Sequence, residues 1–214
     1  MKPTKEKMIE FLKSNKKNKI KIWNRWRRMN YYKIDMSWAN MSGADMSWAN
    51  MSRANMSRAN MSRANMSRAN MSRANMLWAN MSWANMSRVN MSGANMSWAN
   101  MSRANMSWAN MSRANMSGAN MSWANMSRAN MSGANMSRAN IDFTNIFSCK
   151  WLSAKFDKVH IIQMLYHAAM PCQNNKLDLD QDIIDLFNSD SFKKIVNRFH
   201  RVDECGKFTG VKND

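Results

Sequence analysis

The sequence predicts an all-β solenoid, a chain wound in coils around a narrow apolar core, and two observations carry that prediction. The first is a period. From Met36 to Asn140 the chain repeats one five-residue phrase twenty-one times: Met, Ser, then Trp, Arg or Gly, then Ala and Asn. Leu77 for Ser, Val89 for Ala and Asp45 for Asn are the departures from it. On an α-helix turning about 100° per residue, residues five apart spiral around the axis and build no apolar face. On a straight strand an odd repeat throws Met to opposite faces in alternate units. The second observation is the split between apolar and polar positions. If the chain bends once per unit, Met and Ala always point inward while Asn, Ser and the variable residue point outward.

The unit Ala54-Asn55-Met56-Ser57-Arg58 resembles the pentapeptide-repeat family, whose pattern is a small residue, Asn or Asp, a central Leu or Phe, a small polar residue and a variable one. The resemblance implies a right-handed quadrilateral β-helix with four units per coil. About half of the chain carries it, with Met at the central position throughout, where the family prefers Leu or Phe. At four units per coil the tract makes roughly five coils, about 25 Å tall at the ~4.8 Å spacing of neighbouring strands.

Taken in order, residues 1–30 read as a basic helical N-terminal cap. Thr4 is placed to cap a helix bearing Met8, Ile9 and Leu12 on one face, and Lys16-Lys17-Asn18-Lys19 interrupts it. Ile22, Trp23, Trp26 and Met29 then share a face of a second helix. The first coil gives these residues something to cover, because an open β-helix end exposes unpaired backbone groups.

Residues 31–148 form the expected β-helix. Ile34-Asp35 already follows the rule, and Ile141 and Ile146 continue the five-residue ladder in place of Met. Each buried Met stabilises the coil by about 1.5–3 kcal/mol relative to exposure. Near-identity of the units leaves pairing register to be set by the ends.

Residues 149–214 read as a helical C-terminal cap. Asp157 starts a helix through Val159, Ile162, Leu165 and Tyr166 that Pro171 stops. Ile183, Ile184, Leu186 and Phe187 mark a second helix, and Phe192, Ile195, Val196 and Phe199 a third after Ser189. Trp151, Leu152 and Phe156 are placed to anchor this region.

The net charge of +18 is unevenly spread. Residues 1–35 hold twelve Lys or Arg against three acids, the tract ten Arg against Asp45 alone, and residues 141–214 ten against ten. The basic surface is the N-terminal segment plus the solenoid, a balance that favours polyanions electrostatically. Three cysteines, Cys149, Cys172 and Cys205, without metal-type spacing, point to a reduced, cytoplasmic protein. No secretory signal and no membrane-length apolar run is present.

Signals for enzymatic chemistry are weak. His160 and His167 are seven apart, not the four of a helical zinc pair, and His200 with Cys205 lacks the spacing of a structural zinc site. No phosphate-cradling Gly loop or nucleophile elbow occurs. No catalytic residue, metal or cofactor is assigned; nothing supports Cys149 or Cys172 paired with a histidine as a catalytic pair, and buried cap cysteine is the ordinary reading of both.

Recognition therefore falls to the variable position. Taking every fourth unit, as the resemblance implies, gives four ladders. One reads Trp38, Arg58, Trp78, Trp98, Gly118, Arg138 and the next Gly43, Arg63, Trp83, Arg103, Trp123. The third reads Trp48, Arg68, Arg88, Trp108, Arg128, and the last, without aromatics, Arg53, Arg73, Gly93, Arg113, Gly133. Arg stacked over Trp predicts cation–π contacts worth about 0.5–1 kcal/mol each when exposed. Some pentapeptide-repeat proteins protect DNA gyrase with an acidic, duplex-like surface, but ten Arg against one Asp exclude that mimicry here. The preferred reading is a non-catalytic scaffold that binds another protein through its outward Trp/Arg faces. The alternative is nucleic acid or another polyanion held by the same surface, and a third reading is a repeat expansion with a structural role only.

Overall fold

In the computed structural model each unit of the tract makes one turn and one parallel bridge. The structure describes residues 4–15, 18–29, 34–145, 149–150, 154–155, 162, 165–166, 169, 181–198 and 207–209. Bridges join residues twenty apart, from Asp35 with Asn55 to Asn135 with Lys155, so four five-residue units complete a coil. The ladder thus runs on through Lys150 and Lys155, past residue 148. Two compact units divide the chain, Met1–Lys155 and Phe156–Asp214.

One unit explains why the phrase repeats. In Asn60-Met61-Ser62-Arg63-Ala64 the Asn60 N–H donates to Ala39 O of the preceding coil (2.9 Å), while Met61 and Arg63 donate to Asn80 O (2.7 Å) and Ser82 O (2.9 Å) of the next. Ala64 N–H closes the turn onto Met61 O at 3.1 Å. That leaves the Ser62 N–H, and the Asn60 side chain accepts from it at 3.1 Å. All five backbone donors are paired, as burial of a coiled backbone requires. The recurring Asn is therefore an Asx-turn residue that satisfies the one amide the ladder cannot reach. Asp35 does the same for Ser37 (2.9 Å), and that backbone bond is the first cause holding its carboxyl below the usual value.

Inside, every Met from Met36 to Met136 is fully buried, with the Ala ladder and Val89 beside it and Ile141 continuing it. Ile146 lies outside the described residues.

The N-terminal segment forms α1 (Lys5–Lys13) and α2 (Lys19–Met29). The Thr4 side chain accepts from Lys7 N–H at the start of α1, as expected. Asn18 takes a positive φ of 63° before α2, and Lys19 Nζ reaches back to Leu12 O and Ser14 O, both at 2.8 Å, satisfying carbonyls at the end of α1. Met8, Leu12 and Trp23 are buried. Ile22 departs from the expected single face: it is 53 % exposed, on the rim of a cleft lined by Met8, Phe11 and Trp26.

Side chains of this hairpin meet the open edge of the first coil. Trp23 Nε1 donates to Asn50 O (3.1 Å), Arg27 Nη2 to Ser52 O (2.7 Å), Asn24 Nδ2 to Trp48 O (2.9 Å) and Lys5 Nζ to Ser37 O. Asn24 Oδ1 accepts from Asn50 N–H at 2.7 Å. Inside the tract, Asn and Ser carbonyls accept from the preceding coil and the Asn amide donates to it; for Asn50 and Ser52 the helix side chains supply those groups.

In the second unit, α3 (Gln181–Asn188) and α4 (Asp190–Val196) follow one another, with Ser189 accepting from Phe192 N–H to start α4. Ile162, Tyr166, Ala169, Phe192, Val196 and Phe208 form its core. Phe187 and Phe192 stack at 5.0 Å and Phe208 meets both edge-on. Asn197 fixes Phe208 from both sides, donating to its carbonyl (2.9 Å) and accepting from its N–H (2.8 Å). Leu186 and Ile195 are 55 % and 42 % exposed. The anticipated roles of Trp151, Leu152, Phe156, Asp157, Val159, Pro171 and Phe199 fall outside the described residues.

Candidate interaction surface

The variable position is the third residue of a four-residue turn, and its backbone is left-handed in every unit. All seven Trp and ten Arg of the tract have φ between 56° and 62°, and Gly43, Gly93, Gly118 and Gly133 stand at 64–69°. This is the positive-φ position of a type II turn, where glycine is the unstrained residue. A Trp or Arg there costs about 1–2 kcal/mol. The outward side chains are thus held on a backbone that glycine would favour, and the four glycines mark that conformation.

Outward side chains of one ladder meet from coil to coil. Arg58 covers Trp38 and Arg68 covers Trp48, both with the guanidinium carbon 4.6 Å from the ring centroid. Arg103 over Trp83 and Arg128 over Trp108 repeat the contact at 4.8 Å. Trp78 stacks on Trp98 with centroids 5.4 Å apart and rings 11° from parallel. Trp98 in turn lies over Gly118, where an added Cβ would stand 2.7 Å from its ring. Trp123 stacks on Phe143 at 4.4 Å. Sequence reasoning did not include Phe143 on the surface, although it stands five residues after Arg138 and keeps the positive φ.

The fourth ladder differs. Arg73 passes over Gly93 and Arg113 over Gly133, each Cγ an ordinary 3.6 or 3.5 Å from the position of an added Cβ. Even so, the Trp side chains remain 47–67 % exposed, so the stacking leaves much of each indole to solvent.

Chemistry elsewhere is sparse. Cys149 occupies an inward Ala position, donates to Met126 O at 2.8 Å, and burial pushes its thiol up to about 11. A nucleophilic cysteine needs the opposite shift. Cys172, Cys205, His160, His167 and His200 lie outside the described residues. Among the described residues no group of three His, Cys, Asp or Glu is placed to hold a metal, and no helix is long and apolar enough to cross a membrane.

A family profile described as Pentapeptide repeats matches in eight copies, over residues 30–58, 39–76, 49–88, 79–118 and 114–150. No curated protein matches the chain. Among solved structures, the pentapeptide repeat protein Rfr23 from the cyanobacterium Cyanothece 51142 is 20% identical, covering 63% of this chain and 97% of its own, with a TM-score of 0.40. The pentapeptide repeat protein alr5209 from Nostoc PCC 7120 is 22% identical, covering 57% of this chain and 86% of its own, with a TM-score of 0.38. HetL, a pentapeptide repeat protein involved in heterocyst differentiation regulation from Nostoc sp. strain PCC 7120, is 23% identical, covering 57% and 72%, with a TM-score of 0.22.

Proposed function

The chain belongs to the pentapeptide-repeat family, whose members form right-handed quadrilateral β-helices, and from that premise we propose that it is a non-catalytic scaffold that binds another protein through its outward Trp and Arg side chains. In this reading the α1–α2 hairpin caps a β-helix of about five coils, since its side chains supply hydrogen bonds that a preceding coil would make. A firmly ended coil holds register, and the outer ladders then keep fixed spacings of about 4.8 Å.

The observation that carries the reading is the ordered exposure of aromatics. Trp78, Trp98, Trp83 and Trp123 lie on two adjacent ladders, each pinned by a stack or a covering Arg and each still 47–56 % exposed. Trp and Arg are the residues that dominate protein interfaces, and pinned rings lose little freedom on docking. From Met36 to Ala139 the inward positions carry Met, Ala and Val89, none of which has an acid, base or nucleophile to offer.

Affinity capture from lysate of the source organism, using wild type and a Trp78, Trp83, Trp98, Trp123→Ala variant with an unchanged far-UV spectrum, tests the proposal. The expected result is a partner whose affinity, measured with the purified pair, falls at least about tenfold in the variant. Equal affinity for both would remove the aromatic surface from consideration.

A further inference from the structure

The ten tract arginines are not equivalent, and the difference locates a second surface. Four of them, Arg58, Arg68, Arg103 and Arg128, cover a Trp ring and are spread over three ladders. Arg53, Arg63, Arg73, Arg88 and Arg113 cover no ring and pair with no acid among the described residues. All of these but Arg63 gather on two adjacent ladders. Arg53, Arg73 and Arg113 share the ladder without aromatics, in the first, second and fourth coils, and Arg88 stands one unit before Gly93, in the third. The corner therefore presents one unpaired guanidinium per coil over four successive coils, at about 4.8 Å per step. Where the ladder has Gly93 the Arg73 stem lies along the gap, and the neighbouring Arg88 supplies the charge of that coil.

From this placement we infer that the corner formed by Arg53, Arg73, Arg88 and Arg113 is a track for the phosphodiester backbone of a nucleic acid, separate from the aromatic surface. A backbone carries one charge per about 3.4 Å of strand rise, close enough to the coil spacing for successive guanidiniums to reach successive phosphates. Guanidinium is the cation suited to phosphate, because its planar donors bind two oxygens at once. The absence of Trp from the ladder of Arg53, Arg73 and Arg113 means that it reads backbone and not bases, so binding is independent of sequence. The basic hairpin beside the first coil, with Lys5, Lys21 and Arg25 among its charges, extends the positive field toward the same partner. This inference does not rest on the aromatic surface docking a protein.

The test is fluorescence anisotropy of the full chain with a labelled twenty-nucleotide oligo-dT and with a random-sequence duplex, over a salt series. Arg53, Arg73, Arg88 and Arg113→Gln is compared with Arg58, Arg68, Arg103 and Arg128→Gln, which removes the same charge. The first variant is expected to flatten the salt slope for oligo-dT by about 3 and the second by less than about 1. Preference for the single strand or the duplex then identifies the form of nucleic acid. Equal losses in the two variants would overturn the track, and so would binding of polyglutamate without binding of either nucleic acid. Phenylglyoxal footprinting of wild type keeps the test independent of variant folding. Oligonucleotide should protect Arg53, Arg73, Arg88 and Arg113 selectively, and uniform protection of all tract arginines counts against the assignment.

Discussion

Two ladders of the β-helix, rising from Trp38 and from Arg53, stand on the same repeated pattern of backbone hydrogen bonds and differ in what they present. On the first, Trp78 stacks on Trp98 and the pile ends flat on Gly118, whose missing Cβ is the space the indole occupies. On the second, Arg73 and Arg113 pass over Gly93 and Gly133 with room to spare. Glycine at the same turn position thus has two roles, a required vacancy under an aromatic and a simple relief of positive φ under an arginine. The difference shows that the Asn-Met-Ser-Ala frame fixes where side chains stand, while the order of residues along a ladder fixes what they do to one another.

The largest expected effect is one that should not distinguish the ladders at all. Met76 and Met91 precede Trp78 and Gly93 in their units and are both fully buried. Truncating either to Ala leaves a cavity in the core and should cost about 2–5 kcal/mol, seen as a lowered urea midpoint. Similar shifts for both would show a core indifferent to the outer chemistry. A much milder shift for Met91→Ala would mean that the outer stacks contribute to holding the core.

Gly118→Ala and Gly93→Ala separate the ladders directly. Both introduce a Cβ at positive φ, a cost of about 1 kcal/mol once the lost freedom of the unfolded chain is counted. Only Gly118→Ala also pushes a Cβ into an indole 2.7 Å away, which should raise its total to about 2–4 kcal/mol. Near-ultraviolet circular dichroism provides a second readout, because the coupled Trp78 and Trp98 indoles should lose their paired signal in Gly118→Ala and keep it in Gly93→Ala. Identical behaviour of the two variants would break the distinction.

Much of this architecture is legible in the residues. A five-residue phrase with Met and Ala in fixed places yields the coil, and the twenty-residue bridges follow the four-unit winding implied by the family resemblance. The conserved wording of the phrase has a physical cause visible only in three dimensions: the Asn side chain bonds the one amide that the ladder leaves over, as Asn60 does for Ser62. The left-handed turn was signalled by Gly43, Gly93, Gly118 and Gly133, but seventeen bulky residues at the same position obscured it. Asn24 and Arg27 were not legible as partners of the first coil, because polar residues on a basic helix look the same in sequence whether they meet water or a β-edge. Past Asn140 the phrase thins, but one small residue per unit, Thr144, Cys149 and Ala154, keeps the five-residue spacing, and that spacing marks the ladder reaching Lys150 and Lys155.

The smallest effect tests the ordinary role of arginine on this surface. Arg58 and Arg63 are neighbours in one coil, and the residues twenty before them are Trp38 and Gly43. Arg58 covers an indole at 4.6 Å, whereas glycine gives Arg63 no ring to cover. Arg58→Gln should therefore cost about 0.5–1 kcal/mol, with a shift in tryptophan emission as Trp38 loses its cover. Arg63→Gln should change thermal stability by no more than about 0.5 kcal/mol, as exposed substitutions generally do. The pair removes equal charge from adjacent sides of the same coil, so general electrostatics cancels between them. If Arg63→Gln proved as costly as Arg58→Gln, ring cover would not be what ties arginine to these ladders, and the separation of covered from uncovered arginines would lose its energetic basis.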